Sequence, residues 1–223
     1  AQKVAKEKYG LDVELVTFND YVLPNEALSK GDIDVNAFQH KPYLDQQIKD
    51  RGYKLVAVGN SFVYPIAGYS KKIKSLDELQ PGSQIAIPND PTNLGRSLLL
   101  LQQVGLIKLK EGVGLLPTSL DIIENPKNLK IVELEAPQLP RSLDDAQIAL
   151  AVINTTYASQ IGLTPAKDGI FVEGKDSPYV NLIVAREDNK DAENVKKFVQ
   201  AYQSDEVYEA ANKIFNGGAV KGW

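Results

Sequence analysis

Cysteine is absent from the 223-residue chain. No disulfide, thiolate nucleophile, zinc–cysteine site or iron–sulfur cluster can be built from it. Histidine occurs once, at His40. Any multi-histidine metal site is therefore excluded, and a Ser–His pair would have a single candidate base. Methionine is also missing. With no initiator residue, the sequence is expected to be a processed form or a fragment. No apolar run approaches the length of about 18 residues that a membrane-spanning helix needs. The densest cluster, Leu98–Leu101, sits in an otherwise polar stretch. A basic stripe is lacking too: 25 Lys and Arg face 29 Asp and Glu, for a net charge of -4. That balance argues against nucleic acid as a partner.

What is present is an ordinary globular mixture, 43% apolar and 24% charged. It excludes collagen-like, low-complexity and wholly disordered chains. The length suits one large domain or two small lobes, with enough core to need no covalent staples.

Along the chain, helical and extended patterns alternate. The first ten residues read as the end of a helix, with Val4 and Ala5 on one face and Gly10 as C-cap. Alternation of polar and apolar residues over Asp12–Phe18 predicts a strand. A short helix follows over Tyr21–Leu28, then a strand over Asp32–Phe38. Lys41–Arg51 reads as a helix with Pro42 in its first turn, and Lys54–Val58 as a strand. Residues 62–69 continue extended. The rhythm then restarts: a short capped helix at Ser75–Leu79, a strand at Gln84–Ile87 and a strong helix over Thr92–Gln103 ended by Gly105. Strands are expected at Leu129–Leu134, Ile148–Val152 and Val180–Ala185, with a helix at Thr155–Gln160. The last helix spans Asp191–Phe215 with a break near Ser204, and Gly217 and Gly218 stop it.

This alternation implies an α/β fold with mixed, mostly parallel sheets. Two rhythms without a flexible linker imply two lobes joined by extended crossings near 62–69 and 176–184. Residues 1–65 with 181–223 are expected to form one lobe and 66–180 the other. Because such a lobe normally opens with a strand, an upstream strand is expected to precede the first helix.

Several residues could carry chemistry. In Ile87–Arg96 a strand ends, Asp90 can cap and Pro91 occupies the first helical position. The free N–H groups of such a helix start favour an anion, and the planar guanidinium of Arg96 matches a carboxylate. The alternative is a surface arginine on an ordinary helix. Phe38, His40 and Tyr43, with Tyr21 upstream, cluster where a strand gives way to a helix, the edge at which open α/β sheets bind ligands. These rings could hold an apolar or thioether tail, or form a plain lobe core. Asn154 follows a strand end and Asn181 lies in the second crossing; each amide could grip an ammonium or a carboxylate, or serve a turn. Asp144 and Asp145 read as a solvated turn rather than an acid–base pair. No phosphate-cradling loop is present, since Gly112 and Gly114 lack the required spacing. No cofactor or metal is expected.

Taken together, some segments resemble a known family. Tyr69–Leu79 followed by Gly82–Pro88 looks like the entry to the second lobe of periplasmic binding proteins. Asn36–Tyr43, Pro88–Asn93 with Arg96, and Ser177–Asn181 together resemble the methionine-binding lipoproteins of ABC importers. The resemblance covers essentially the whole chain. It implies a two-lobed, type II binding-protein fold that closes by hinge motion on methionine and delivers it to the importer's permease and ATPase subunits. By the same resemblance, Tyr21, Phe38, His40 and Tyr43 line a thioether pocket, Arg96 holds the carboxylate, and Asn154 and Asn181 grip the amino-acid head group. A periplasmic location is implied, with inner-membrane contact only through a lipidated cysteine upstream of this sequence. The competing readings are a transferase-like enzyme on the same scaffold, with His40 as acid or base, and a binder of another apolar amino acid or a short methionine peptide.

Overall fold

Helix α1 (Gln2–Tyr9) buries Val4 and Ala5 and stops at Gly10, whose φ of 64° is the left-handed conformation that glycine adopts without a Cβ clash. The computed structural model describes residues 1–174 and 176–223. The strand expected over Asp12–Phe18 does not form. Among the described residues no ladder includes this segment, and Leu15 and Val16 are 68% and 53% exposed. Alternation shapes a strand's faces, but the backbone stays extended in a sheet only when a neighbouring edge takes its hydrogen bonds.

Helix α2 (Leu23–Lys30) starts two residues later than the pattern indicates. The Asp20 carboxylate accepts the Val22 and Leu23 N–H groups at 3.1 and 2.9 Å, turning the chain just before the helix. Strand β1 (Val35–Asn36) is far shorter than the expected Asp32–Phe38. Helix α3 (Lys41–Arg51) and strand β2 (Leu55–Val63) follow, the strand running five residues beyond its predicted end.

The extended run over 62–69 is interrupted by Pro65, which has no N–H to offer a ladder. Strand β3 (Ala67–Tyr69) resumes it. A single 3₁₀ turn, Leu76–Glu78, is closed reciprocally by Ser75 and Glu78. Then come β4 (Gln84–Pro88), α4 (Pro91–Gln103), β5 (Lys108–Leu109), β6 (Ile122–Glu124) and β7 (Lys130–Leu134). They are followed by α5 (Leu139–Ser142), β8 (Ile148–Ile153), α6 (Thr155–Ala158), α7 (Pro165–Asp168) and β9 (Phe171–Val172). The chain ends with β10 (Val180–Arg186), α8 (Glu193–Tyr202), α9 (Asp205–Ile214) and β11 (Val220–Lys221). The expected break falls where predicted: Ser204 caps α9 by accepting the Val207 N–H at 3.4 Å.

Two compact units result: Ala1–Tyr64 with Lys175–Trp223, and Pro65–Gly174. The first carries the sheet β1-β10-β2-β11, in which every pairing is antiparallel. Among the described residues, parallel pairing is confined to β7-β4-β8 in the second unit, where β3 and β9 complete the sheet antiparallel. The mixed α/β class therefore forms, but with far fewer parallel pairs than the helix–strand rhythm implies. The cause is connectivity. Strand β2 leads the chain out of the first unit and β10 leads it back, so the two neighbours run in opposite directions.

Each unit has its own core. In the second, Ile85 and Ile87 of β4, Leu98 and Leu101 of α4, and Leu150 and Val152 of β8 are buried together. The Lys72 ammonium donates to the Asp145 and Ile148 carbonyls at 2.6 and 2.7 Å, tying the start of β8 to the strand-β3 side. In the first, Leu28, Leu44, Leu55, Leu182 and Val184 form one cluster and Ala5, Phe62 and Ala201 anchor another. Asp144 and Asp145 serve separate partners, the Lys71 ammonium and the Gln147 N–H, as a solvated turn would.

Candidate functional site

In the first unit the rings singled out from the sequence do meet. Tyr21 lies 5.9 Å from Phe38 and 6.0 Å from Tyr43 between ring centroids, and Phe38 lies edge-on to Tyr43 at 6.0 Å. The Tyr43 hydroxyl donates to the Tyr21 carbonyl at 2.7 Å, closing the group. His40 sits edge-on to Tyr43 at 6.1 Å. Such tilted and edge-on pairs bring ring edges and faces together without stacking them flat.

His40 holds its place through the backbone. It is the N-cap of α3, its Nδ1 accepting the Tyr43 N–H at 3.1 Å. An accepting Nδ1 leaves the ring proton on Nε2. The His40 backbone also bridges antiparallel to Asn181, and the Leu182 N–H donates to the Gln39 carbonyl at 2.8 Å. Asn181, buried at 9% exposure, is thereby fixed beside the ring cluster although 141 positions (181 minus 40) separate it from His40.

A buried amide network explains why β1 is so short. Asn25 and Gln39 exchange side-chain bonds at 3.0 and 2.7 Å. Asn36 donates to Asn25 and to the Pro24 carbonyl at 3.0 and 3.2 Å, and accepts from Gln39 at 3.0 Å. Fully satisfied polar networks in a low-dielectric interior are rigid. This one begins where β1 ends, at Asn36, and ties Gln39 back to Asn25 and Asn36, so that Phe38 and His40 follow the strand on a held loop.

In the second unit, β4 and β8 are parallel neighbours, so their C-terminal ends lie side by side. Asp90 caps α4 there: its carboxylate accepts the Asn93 N–H at 3.1 Å, the Asn93 amide at 3.0 Å and the Thr92 hydroxyl at 3.2 Å. Burial nevertheless pushes the Asp90 carboxyl above its ordinary range, the bonds from Asn93 and Thr92 pulling against it. Asn154, at the end of β8, donates its Nδ2 to the Asn93 Oδ1 at 3.3 Å. Its own Oδ1 is buried and has no hydrogen-bond partner among the described residues. A buried acceptor left unmatched costs stability, so it marks a place where protein alone does not complete the bonding.

Arg96 lies one turn along α4 from Asn93 and is only 4% exposed. It is not a surface arginine. Its Nε and Nη2 reach the two oxygens of Glu173 at 2.9 and 2.6 Å, a bidentate pair whose acidic partner has 11% side-chain exposure. Sequence reasoning missed Glu173, which stands 77 residues away just past β9 and carries no local signal. It also missed Tyr179, edge-on to His40 at 5.0 Å, which lies inside the Ser177–Asn181 segment. The second unit thus gathers Arg96 and Asn154, and the first gathers Tyr21, Phe38, His40, Tyr43 and Asn181.

Taken separately, the second unit offers a guanidinium and amides suited to a polar group, and the first offers ring edges suited to an apolar one. Among the described residues, no three His, Asp or Glu side chains are grouped to hold a metal ion. Among the same residues, no helix is long and apolar enough to cross a membrane.

Comparison with known proteins decides the lineage. The family described as NlpA lipoprotein matches residues 1–223. The chain belongs to the NlpA lipoprotein family. It is 94% identical to the D-methionine-binding lipoprotein MetQ of Salmonella typhimurium and 93% identical to that of Escherichia coli K12. Each alignment covers all of this chain and 82% of the relative. Among solved family members, the crystal structure of the methionine binding protein MetQ matches with a TM-score of 0.99 at 93% identity, covering 100% of this chain and 91% of that one. A nutrient binding protein from Burkholderia cenocepacia bound to methionine matches at a TM-score of 0.96 and 56% identity, covering 100% and 92%.

Proposed function

We propose that this chain is the methionine-binding component of an ABC importer, a periplasmic lipoprotein that captures methionine and passes it to the permease and ATPase subunits. The observation that carries this reading is identity of 93–94%, along the full chain, to proteins named for binding methionine. The role is carriage rather than catalysis.

The proposed division of labour follows the chemistry. The Tyr21, Phe38, His40 and Tyr43 rings offer a polarisable wall for a thioether, which packs well at ring edges. Each buried methylene of the side chain contributes about 0.8 kcal/mol. Arg96 serves the ligand carboxylate. Asn154, whose buried Oδ1 lacks a protein partner, and Asn181 serve the rest of the head group. A zwitterion sheds its hydration only where charged and amide groups replace it, and these side chains supply both.

Mass spectrometry of ligand released from the purified protein, followed by calorimetric titration with L- and D-methionine, tests the reading. Methionine as the released species and saturable binding are expected. Release of a different amino acid, or conversion of methionine into product, would sink it.

A further inference from the structure

The Arg96–Glu173 pair carries a consequence for which ligands the second unit can accept. A lone guanidinium buried to 4% exposure would attract any carboxylate, including ligands with a net negative charge. Here the guanidinium is already matched by a bidentate carboxylate at 2.6 and 2.9 Å, itself largely buried. The two charges sum to zero. Asp90, at the start of the same helix, accepts from Asn93 and Thr92 and, being an acid, adds no positive charge to offset an incoming anion. The amides of Asn93 and Asn154 are neutral.

We propose that Glu173 is a specificity-determining residue: by cancelling the charge of Arg96 it leaves the head-group region without net positive charge, favouring zwitterions over anions of the same size. The inference rests on the reading that Arg96 meets the ligand carboxylate. A zwitterion brings its own ammonium, so its carboxylate enters without leaving net charge behind. An anion brings an unmatched negative charge toward Glu173 in a medium that screens poorly. Glu173 also fixes the plane of the guanidinium, because two parallel bonds define an orientation that one bond does not. Selection by charge is thereby separated from selection by size, which falls to the aromatic rings.

The test compares methionine with 4-(methylthio)butanoate, which is methionine without its ammonium, by calorimetry on the wild type and on Glu173→Gln. Glutamine keeps the size and one acceptor oxygen but removes the charge. The wild-type preference for methionine is expected to shrink by about tenfold or more in the variant. A role confined to folding would weaken both ligands equally, and an unchanged ratio in a variant with the wild-type circular dichroism spectrum overturns the proposal. Should Glu173→Gln not fold, Glu173→Asp, which keeps the charge but draws it back from Arg96, is expected to reduce the ratio by about threefold. An unchanged ratio there overturns it as well. A wild type that does not bind methionine removes the underlying reading, whereas wild-type binding with an unaltered ratio removes this inference alone.

Discussion

The Nδ2 of Asn154 donates to the Oδ1 of Asn93 at 3.3 Å, linking the end of β8 to the first turn of α4. The bond uses one end of the Asn154 amide and leaves the other, Oδ1, buried without a partner among the described residues. The side chain is thus held in place by protein but only half satisfied by it.

That asymmetry separates binding from stability. Asn154→Ala removes an unmatched acceptor along with one long hydrogen bond, so the unfolding free energy should change by no more than about 1 kcal/mol. Methionine affinity should fall by about tenfold or more, the loss of one or two hydrogen bonds to a charged group. Urea unfolding and calorimetry on the same preparation check both halves. A large stability loss with intact affinity would make Asn154 a framework residue.

Arg96→Ala behaves differently. It removes the proposed carboxylate partner and also strands the Glu173 carboxylate, which has 11% side-chain exposure. Breaking a buried pair by deleting one member costs about 3–5 kcal/mol. Both methionine binding and thermal stability of the second unit should drop. Replacing both residues with glutamine should recover much of the stability but none of the affinity, because no charge is then left unmatched. Differential scanning calorimetry beside ligand titration separates the two effects, and retained methionine affinity in the single variant would remove Arg96 from the site.

Asp90 gives a pH signature. Burial raises its carboxyl above the ordinary 3.8, so the folded state holds that proton more tightly than the unfolded chain. Its contribution to stability is therefore present at low pH and is lost as pH rises from 3.8 through the raised folded value. Asp90→Asn keeps a capping oxygen for the Asn93 N–H but does not titrate. The stability of the wild type minus that of the variant should fall as pH rises across this window. Urea unfolding at stepped pH values measures the difference, and a difference that grows with pH would reverse the assignment.

Gly95 offers a test of packing against propensity. In an exposed helix interior, Gly→Ala gains about 0.5–1 kcal/mol. At Gly95 an added Cβ would lie 2.3 Å from the Leu115 carbonyl oxygen and 3.1 Å from Pro117. Backbone must move to admit it, at a cost of about 1–3 kcal/mol. Gly95→Ala should therefore lower the melting temperature and, being next to Arg96, weaken methionine binding. A stabilised variant would show that the loop at Leu115 yields freely.

What the sequence determined by itself is whatever local chemistry settles. Gly10 and Gly52 end α1 and α3, Asp90 and Pro91 start α4, and Ser204 divides α8 from α9, each through bonds within a few residues. The aromatic group was legible for a similar reason, since Phe38, His40 and Tyr43 lie within six positions and α3 returns Tyr43 to its own cap. The tertiary structure alone decided the rest. Alternation over Asp12–Phe18 met no partner edge, and the directions of β2 and β10 followed from where the chain leaves and re-enters a unit. Glu173 reaches Arg96 across 77 positions, and no short-range pattern announces a carboxylate that far away. Caps and periodicities are properties of a segment, whereas ladders and buried ion pairs are properties of two segments brought together, and only folding makes that introduction.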